Sequence, residues 1–166
     1  MNAYYGKKKV ILINMDKNKL VQEIAQAMKT KGFQNVMTFE AVGTYAAYYH
    51  VAEQNPDFVL FVGESKECKV RPMRIEGYPS NAPYGFTRRD TEESNDAKPL
   101  FRHELRMIGL DPKVIGANKI EWNDVKDIPW YYRTSAPMLS LETPAAEGLG
   151  KAVAEAVADY FIKEQR

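Results

Sequence analysis

Cysteine and histidine are scarce in this chain, and their scarcity excludes whole classes of site. The 166 residues include one cysteine, Cys68, and two histidines, His50 and His103. A single cysteine excludes an internal disulfide and every zinc site that is built from several cysteines. Two histidines limit any metal site to two imidazole ligands. A chain of this length buries enough apolar surface to fold as one domain without such supports.

The chain also lacks an excess of charge of either sign and a long apolar run. Its 23 Lys and Arg residues nearly balance its 22 Asp and Glu residues, so we expect no basic surface of the kind that binds a nucleic-acid backbone. The apolar run at residues 10–13 is too short for a signal-peptide core or a membrane span. The sequence predicts a protein without nucleic-acid or membrane partners, either cytoplasmic or phage-encoded and released without a signal peptide.

The N-terminal third alternates strand patterns with helix patterns. Apolar runs at residues 10–13, 36–39 and 57–63 predict strands, and segments at residues 20–28 and 43–54 predict helices between them. A β-α-β-α-β order favours right-handed crossovers and a parallel sheet. We therefore expect a single three-layer α/β domain over residues 1–166, with helices on both faces of a mostly parallel sheet.

Two irregular stretches interrupt this pattern. Residues 64–99 contain four prolines and no sustained period, which predicts a long loop with a hairpin around residues 70–78. Residues 118–136 predict a second long loop. Loops of this length are uncommon inside compact domains unless they line a site.

The C-terminal part returns to regular patterns. Residues 100–110 predict a helix, and residues 113–117 predict a short strand. Residues 137–142 predict a further strand, directly followed by Thr143 and Pro144, a pair typical of a helix start. An apolar stripe from Leu149 onward then predicts the final helix.

Carboxylates follow three of the predicted strands. In open α/β sheets, ligands bind outside the carboxyl ends of the strands, where Asp16, Glu64 and Glu142 are expected. Converging carboxylates can hold a divalent cation through oxygen ligands or perform acid–base chemistry. In the alternative interpretation, Asp16 caps the first helix and the glutamates are solvated rim residues.

Glu142 is the strongest catalytic candidate because it ends an apolar strand directly before a helix start. A carboxylate in that place is expected to be partly desolvated, which favours its protonated form and suits a general acid/base. We therefore predict Glu142 as the catalytic residue and Asp16 and Glu64 as ligands of a divalent metal.

The two predicted loops supply candidates for ligand binding. Arginines can clamp an anionic group through paired hydrogen bonds, and an aromatic ring offers a stacking face. The predicted ligand-binding residues are Arg71, Arg74, Arg88, Arg89, Trp130 and Arg133. A small acidic ligand would suit such a set. The alternative is that the arginines belong to an ordinary loop surface and the aromatic residue to local core.

Sequence motifs for other common chemistries are absent. No G-x-G-x-x-G follows the first strand, no phosphate-binding G-x-x-x-x-G-K-[ST] occurs, and no G-x-S-x-G marks a serine nucleophile. These absences weigh against a nucleotide-binding or flavodoxin-like domain and against a serine hydrolase.

Four segments together resemble a known family. Residues 8–14 resemble its first strand, and residues 20–33 its first helix with a closing Gly-Phe. Residues 47–62 resemble the helix and strand that lead to its last zinc histidine, and residues 133–143 the strand that ends in its catalytic glutamate. The family is that of the zinc-dependent N-acetylmuramoyl-L-alanine amidases. They have a phosphorylase/hydrolase-like fold and cut the bond between peptidoglycan sugar and stem peptide.

The resemblance implies an amide-bond hydrolase, amidase-like or carboxypeptidase-like, that acts on or binds cell-wall peptide with Glu142 as the general acid/base. The family's zinc histidines fall near residues 14–17 and at Gly63 or Glu64, where this chain has none. Zinc is therefore disfavoured as the cofactor, and another divalent metal stays open. The alternative is a catalytically inactive module with a binding or structural role, for example in a phage particle, with a protein partner or as a homo-oligomer.

Overall fold

Apolar runs and helical periods along the chain become the strands and helices of an α/β sheet structure. The computed structural model describes residues 5–40, 54–76, 88–115, 118–121 and 136–164. The strands are β1 Lys9–Asn14, β2 Asn35–Glu40, β3 Phe58–Glu64, β4 Lys69–Glu76, β5 Lys113–Val114, β6 Asn118–Glu121 and β7 Met138–Thr143. The helices are α1 Leu20–Lys31, α2 Arg88–Met107 and α3 Leu149–Glu164.

The sheet is mostly parallel, as predicted. Its strand order is β2-β1-β3-β7-β4-β5, and β6 also pairs with β4. The first four of these strands run parallel to one another, whereas β4 runs antiparallel to β7. β5 and β6 are each parallel to β4. The carboxyl ends of β2, β1, β3 and β7 therefore share one edge of the sheet, which we call the carboxyl edge.

Both faces of the sheet are buried, which explains the continuous apolar run in β1. Val10 and Leu12 pack in one core cluster with all three described helices. Ile11 and Ile13 point to the opposite face and are buried outside that cluster. The sheet is thus the middle layer of an α/β domain. Residues 43–53 of the helix predicted at residues 43–54 lie outside the described residues.

The three described helices lie side by side on one face, which we call the helical face. The middle helix is α3, since it contacts both α1 and α2. Phe58 on β3 joins the layers, because its ring centroid lies 6.1 Å from Phe101 of α2. On α3, Tyr160 and Phe161 lie 5.4 and 6.1 Å from it in edge-on arrangements. Aromatic pairs prefer certain ring orientations, so these contacts help to fix how the helices pack on the sheet in addition to burying apolar surface.

The ends of α1 follow from local chemistry. At its C-terminus Gly32 has a φ of 117°, and its N–H reaches the carbonyl oxygens of Lys29 and Met28, as the sequence predicted. The predicted N-cap was wrong, because the helix begins at Leu20 rather than near Asp16. Asn18 Oδ1 instead accepts the Leu20 N–H at 2.9 Å. Asp16 is thereby left for another role.

The two predicted long loops are wrong in part. Residues 64–99 contain all of β4 and the first part of α2, which continues through Pro99. β4 pairs with the distant β7 rather than with a neighbouring hairpin strand, so no local pattern could reveal it. In the second stretch, residues 118–121 form β6. The final helix begins at Leu149, after a turn at Gly148, rather than at Thr143 and Pro144.

Among the described residues, no helix is long and apolar enough to cross a bilayer.

Candidate functional site

The strand order reverses at the carboxyl ends of β1 and β3. The chain passes from β1 to β2 on one side, while β3 lies on the other side of β1. Ligands of open α/β sheets bind at such a reversal of strand order. The residues that flank it are Met15 and Asp16, directly after β1, and Gly63 and Glu64 at the end of β3.

Asn14 fixes the loop that leaves β1. Its side chain is buried, with 6% of its surface exposed. Its Oδ1 accepts the Asn18 N–H at 3.0 Å, and its Nδ2 donates to the Asn18 carbonyl at 2.9 Å. The same Nδ2 lies 3.4 Å from Glu40 Oε1 at the end of β2. Both ends of the loop are therefore fastened to one side chain, which explains how Lys17 can hold a φ of 55°.

Asp16 is held over the end of β3 by hydrogen bonds. Its Oδ2 accepts the backbone N–H of Glu64 at 3.2 Å. Its Oδ1 accepts a hydrogen bond from Asn18 Nδ2, which also donates to the Val62 carbonyl at 3.2 Å. The Asp16 carboxylate therefore has a defined position although the residue is exposed.

Glu142 lies opposite Gly63 in the β3–β7 register. Its Oε1 is 3.7 Å from a terminal nitrogen of Arg71 on β4, and 28% and 29% of the two side chains are exposed. The Arg71 Nε is buried without a hydrogen-bond partner among the described residues. The Arg71 guanidinium therefore lies next to the predicted catalytic carboxylate of Glu142, at a distance longer than a hydrogen bond. Within the described part of the chain, its Nε–H is a donor without an acceptor.

Gly63 is the position around which the predicted acidic residues gather. A Cβ built on it would lie 3.8 Å from both Asp16 Oδ2 and the Glu142 Cγ, and 3.7 Å from the Met15 Sδ. The structure therefore brings Asp16 and Glu142 together, as the sequence suggested. Glu64 contributes its backbone N–H to this arrangement, while its side chain is exposed.

The residues at this edge do not fit zinc. Asn14 and Asp16 offer amide and carboxylate oxygens, and Gly63 has no side chain. Zinc is usually bound through imidazole or thiolate ligands. Within the described ranges, no group of three or more His, Cys, Asp or Glu is arranged to hold a metal ion. A divalent cation with oxygen ligands at Asp16 and Glu64 stays a prediction.

The remaining predicted ligand-binding residues belong to regular elements or lie outside the described residues. Arg74 belongs to β4, and Arg88 and Arg89 belong to the first turn of α2, so none of the three lies in a loop as predicted. Trp130 and Arg133 lie outside the described residues. Of the six, Arg71 is the one whose described contacts reach Glu142.

Cys68 follows the end of β3 by four residues, but it is not suited to act as a nucleophile. The residue is buried, and burial raises the pKa of its thiol, with a hydrogen bond to Thr143 acting in the opposite direction. A thiol with a raised pKa is a poor nucleophile at neutral pH.

Sequence reasoning placed Asn14 and Gly63 at strand ends without giving either a role, and it missed Asn18. Two asparagines four residues apart after an apolar strand were a usable signal, because asparagine side chains commonly bond to nearby backbone in turns. The glycine gave a weaker signal, since a glycine at a strand end has many explanations.

Comparisons with known proteins show the fold and nothing finer. No family model matches the chain, and no curated protein matches it. A solved structure of the conserved protein of unknown function AF0625 is similar over 93% of this chain, with a TM-score of 0.53 and 13% identity. This chain spans 63% of that protein's length. Zinc-free YndL aligns over 96% of this chain and 86% of its own, with a TM-score of 0.43 and 11% identity.

Proposed function

We propose that this protein is an amide-bond hydrolase that acts on a cell-wall peptide at the carboxyl edge, with Glu142 as the general acid/base. The observation that carries the proposal is the position of Glu142. It is the penultimate residue of β7, lies beside Arg71, and faces Asp16 across Gly63. The amidase resemblance gives the reaction class and the substrate class.

The chemistry needs a base for water and a positive group for the developing oxyanion. Glu142 would accept a proton from the attacking water and later deliver it to the leaving amine. The Arg71 guanidinium, 3.7 Å away, would stabilise negative charge on the carbonyl oxygen. Asp16, fixed by Glu64 and Asn18, would accept an N–H from the substrate and so orient it. No step is assigned to zinc, because the residues present do not fit it.

Replacing Glu142 by glutamine tests this proposal. The variant keeps the size of the side chain but removes the base, so we expect release of peptide from purified muropeptides to fall by about 100-fold or more, as for loss of general acid–base catalysis. Product is measured by liquid chromatography at matched enzyme concentration. Glu147→Gln, an exposed glutamate in the turn before α3, is the matched control and should keep the full rate. Unchanged release by Glu142→Gln, or no release by the unaltered protein, would contradict the proposal.

A second candidate is a non-catalytic binding or structural module. It is favoured by the absence of imidazole at both positions that correspond, in the amidase resemblance, to zinc histidines. This candidate predicts that muropeptide binds without product, and that Glu142→Gln changes the dissociation constant but no rate. Calorimetric titration alongside the release assay separates the two. Sedimentation velocity then shows whether the module forms a homo-oligomer.

A further inference from the structure

Most glycines with described surroundings have a structural reason to be glycine. Gly32, at the end of α1, has a φ of 117°, where side chains are strained. Gly150, near the start of α3, is an example of close packing, since a Cβ there would lie 2.7 Å from the Glu23 carbonyl oxygen. An alanine at either position would disturb the fold itself.

Gly63 has neither reason. Its φ lies outside the left-handed region, and its strand pairs with β7 in unbroken register from Val59 to Glu64, so no bulge is present. The nearest atoms to a built Cβ lie at 3.7 and 3.8 Å, which is ordinary van der Waals contact. An alanine would therefore fit. Glycine in a strand is unfavourable compared with residues that carry a side chain, and it commonly marks close approach by a ligand or another chain.

The location of Gly63 points to a ligand. On one side it pairs with Glu142 of β7, and on the other side β1 has already ended at Asn14. The position therefore lies at the carboxyl edge where strand order reverses, the place at which open α/β sheets bind ligands. Gly63 is itself buried, beneath the side chains of Met15, Asp16 and Glu142. Met15 is 42% exposed, and its flexible thioether can move aside for an incoming group.

We propose that Gly63 is a specificity-determining residue: its missing side chain leaves a methyl-sized space between Asp16 and Glu142 that receives the substrate. The inference rests on the proposed function and deepens it. Without a side chain at this position, the main chain of an extended peptide can approach the end of β3 closely, whereas a side chain here would hold the peptide away. The substrate class is therefore a peptide whose backbone crosses the end of β3, with its reacting amide beside Glu142.

Gly63→Ala tests the inference because it fills the space without straining the fold. With purified muropeptide as the probe, we expect the KM to rise at least tenfold while the melting temperature stays equal to that of the unaltered protein or rises. Gly63→Val, which adds two more methyl groups, should raise the KM further. Gly109→Ala is the control: its φ of 88° makes alanine strained, so it should lower the melting temperature and leave the KM unchanged.

The outcomes separate this inference from the proposed function. An active unaltered protein with an unchanged KM in Gly63→Ala overturns the inference and leaves the proposed function standing. A Gly63→Ala variant whose melting temperature falls as far as that of Gly109→Ala also overturns it, because the glycine would then serve the fold. An unaltered protein that releases no product from muropeptide overturns the proposed function, and the inference with it.

Discussion

The helical face and the carboxyl edge of the same sheet are built in opposite ways. On the helical face, fully buried apolar side chains from β1, β3, β7 and three helices form one cluster. At the carboxyl edge, the described side chains are amides, carboxylates and a guanidinium, joined by hydrogen bonds and a loose ion pair. Apolar burial is the larger source of stability, since each fully buried large side chain contributes roughly 1.5–3 kcal/mol.

Stability and the proposed ligand binding are therefore located in different parts of this molecule. Polar residues at the edge bond mainly to backbone groups of the loop after β1 and of β3, so their geometry is fixed at little cost to the core. If the helical face carries the stability, changes there should unfold the protein. Changes at the edge should leave the free energy of unfolding nearly unaltered while they affect ligand binding.

Phe58→Ala should have the largest effect on stability. Phe58 is fully buried and contacts aromatic rings on both α2 and α3, so its loss leaves a cavity between three elements. We expect the free energy of unfolding to fall by about 3–5 kcal/mol, measured by urea denaturation. Glu64→Gln, at the exposed end of the same strand, should change it by less than about 0.5 kcal/mol. Similar losses for both variants would remove the distinction between face and edge.

Gly150→Ala should have an intermediate effect. The added Cβ would lie 2.7 Å from the Glu23 carbonyl oxygen, a backbone atom of α1, so the two helices would have to separate. Overpacking of this kind costs about 1–3 kcal/mol, which thermal and urea unfolding can resolve. Lys151→Ala, one residue further along the exposed side of α3, is the control and should be close to neutral. A fully stable Gly150→Ala would show that the helical face is more loosely packed than its core suggests.

Glu104→Gln should have the smallest effect, and in the stabilising direction. Burial raises the pKa of Glu104 on α2, and the negative charge of Asp159 on α3 raises it further, with Glu155 adding to this and His103 opposing it. Because the pKa of Glu104 is raised in the folded state, the protonated form of Glu104 is favourable to folding compared with the ionised form. This contribution to the free energy of unfolding is complete below the unfolded-state pKa and is lost as the pH rises through the folded-state pKa. At neutral pH, ionised Glu104 therefore repels Asp159 across the helical face.

Glutamine removes that repulsion, so we expect the free energy of unfolding at pH 7 to rise by roughly 0.5 kcal/mol, on the scale of partly exposed charge pairs. Near pH 4 the variant and the unaltered protein should differ less. Urea denaturation at both pH values measures this. An equal gain at both pH values would show that the charge of Glu104 is not the cause.

The strands and helices with the most continuous apolar patterns were predicted most accurately from the local sequence. β1, β3 and β7 each form an apolar run that is buried on both faces, and α1 has a clear period with a closing glycine, so all four were predicted close to their observed bounds. β4 was missed as a regular strand because it contains Pro72 and alternating charges. Its regularity comes from pairing with β7, some 70 residues away in the chain, which no local window contains.

The candidate site divides in the same way. Asp16 and Glu142 could be selected from sequence, because carboxylates after apolar strands are visible as a pattern. Their meeting around Gly63, and the approach of Arg71 to Glu142, depend on strand order and on an antiparallel partner strand. The role of Asn18 depends on a loop whose hydrogen bonds reach the end of β3.

Local patterns in the amino-acid sequence were enough to specify the α/β class, the parallel central strands and the scarcity of histidine and cysteine. These follow from hydrophobic periodicity and composition, which act locally along the chain. Which polar groups share the carboxyl edge follows from the folded arrangement alone, because it depends on strand order and on register between distant segments. Physically, apolar patterning selects the elements, and the pairing of those elements places Asp16, Gly63 and Glu142 at one point.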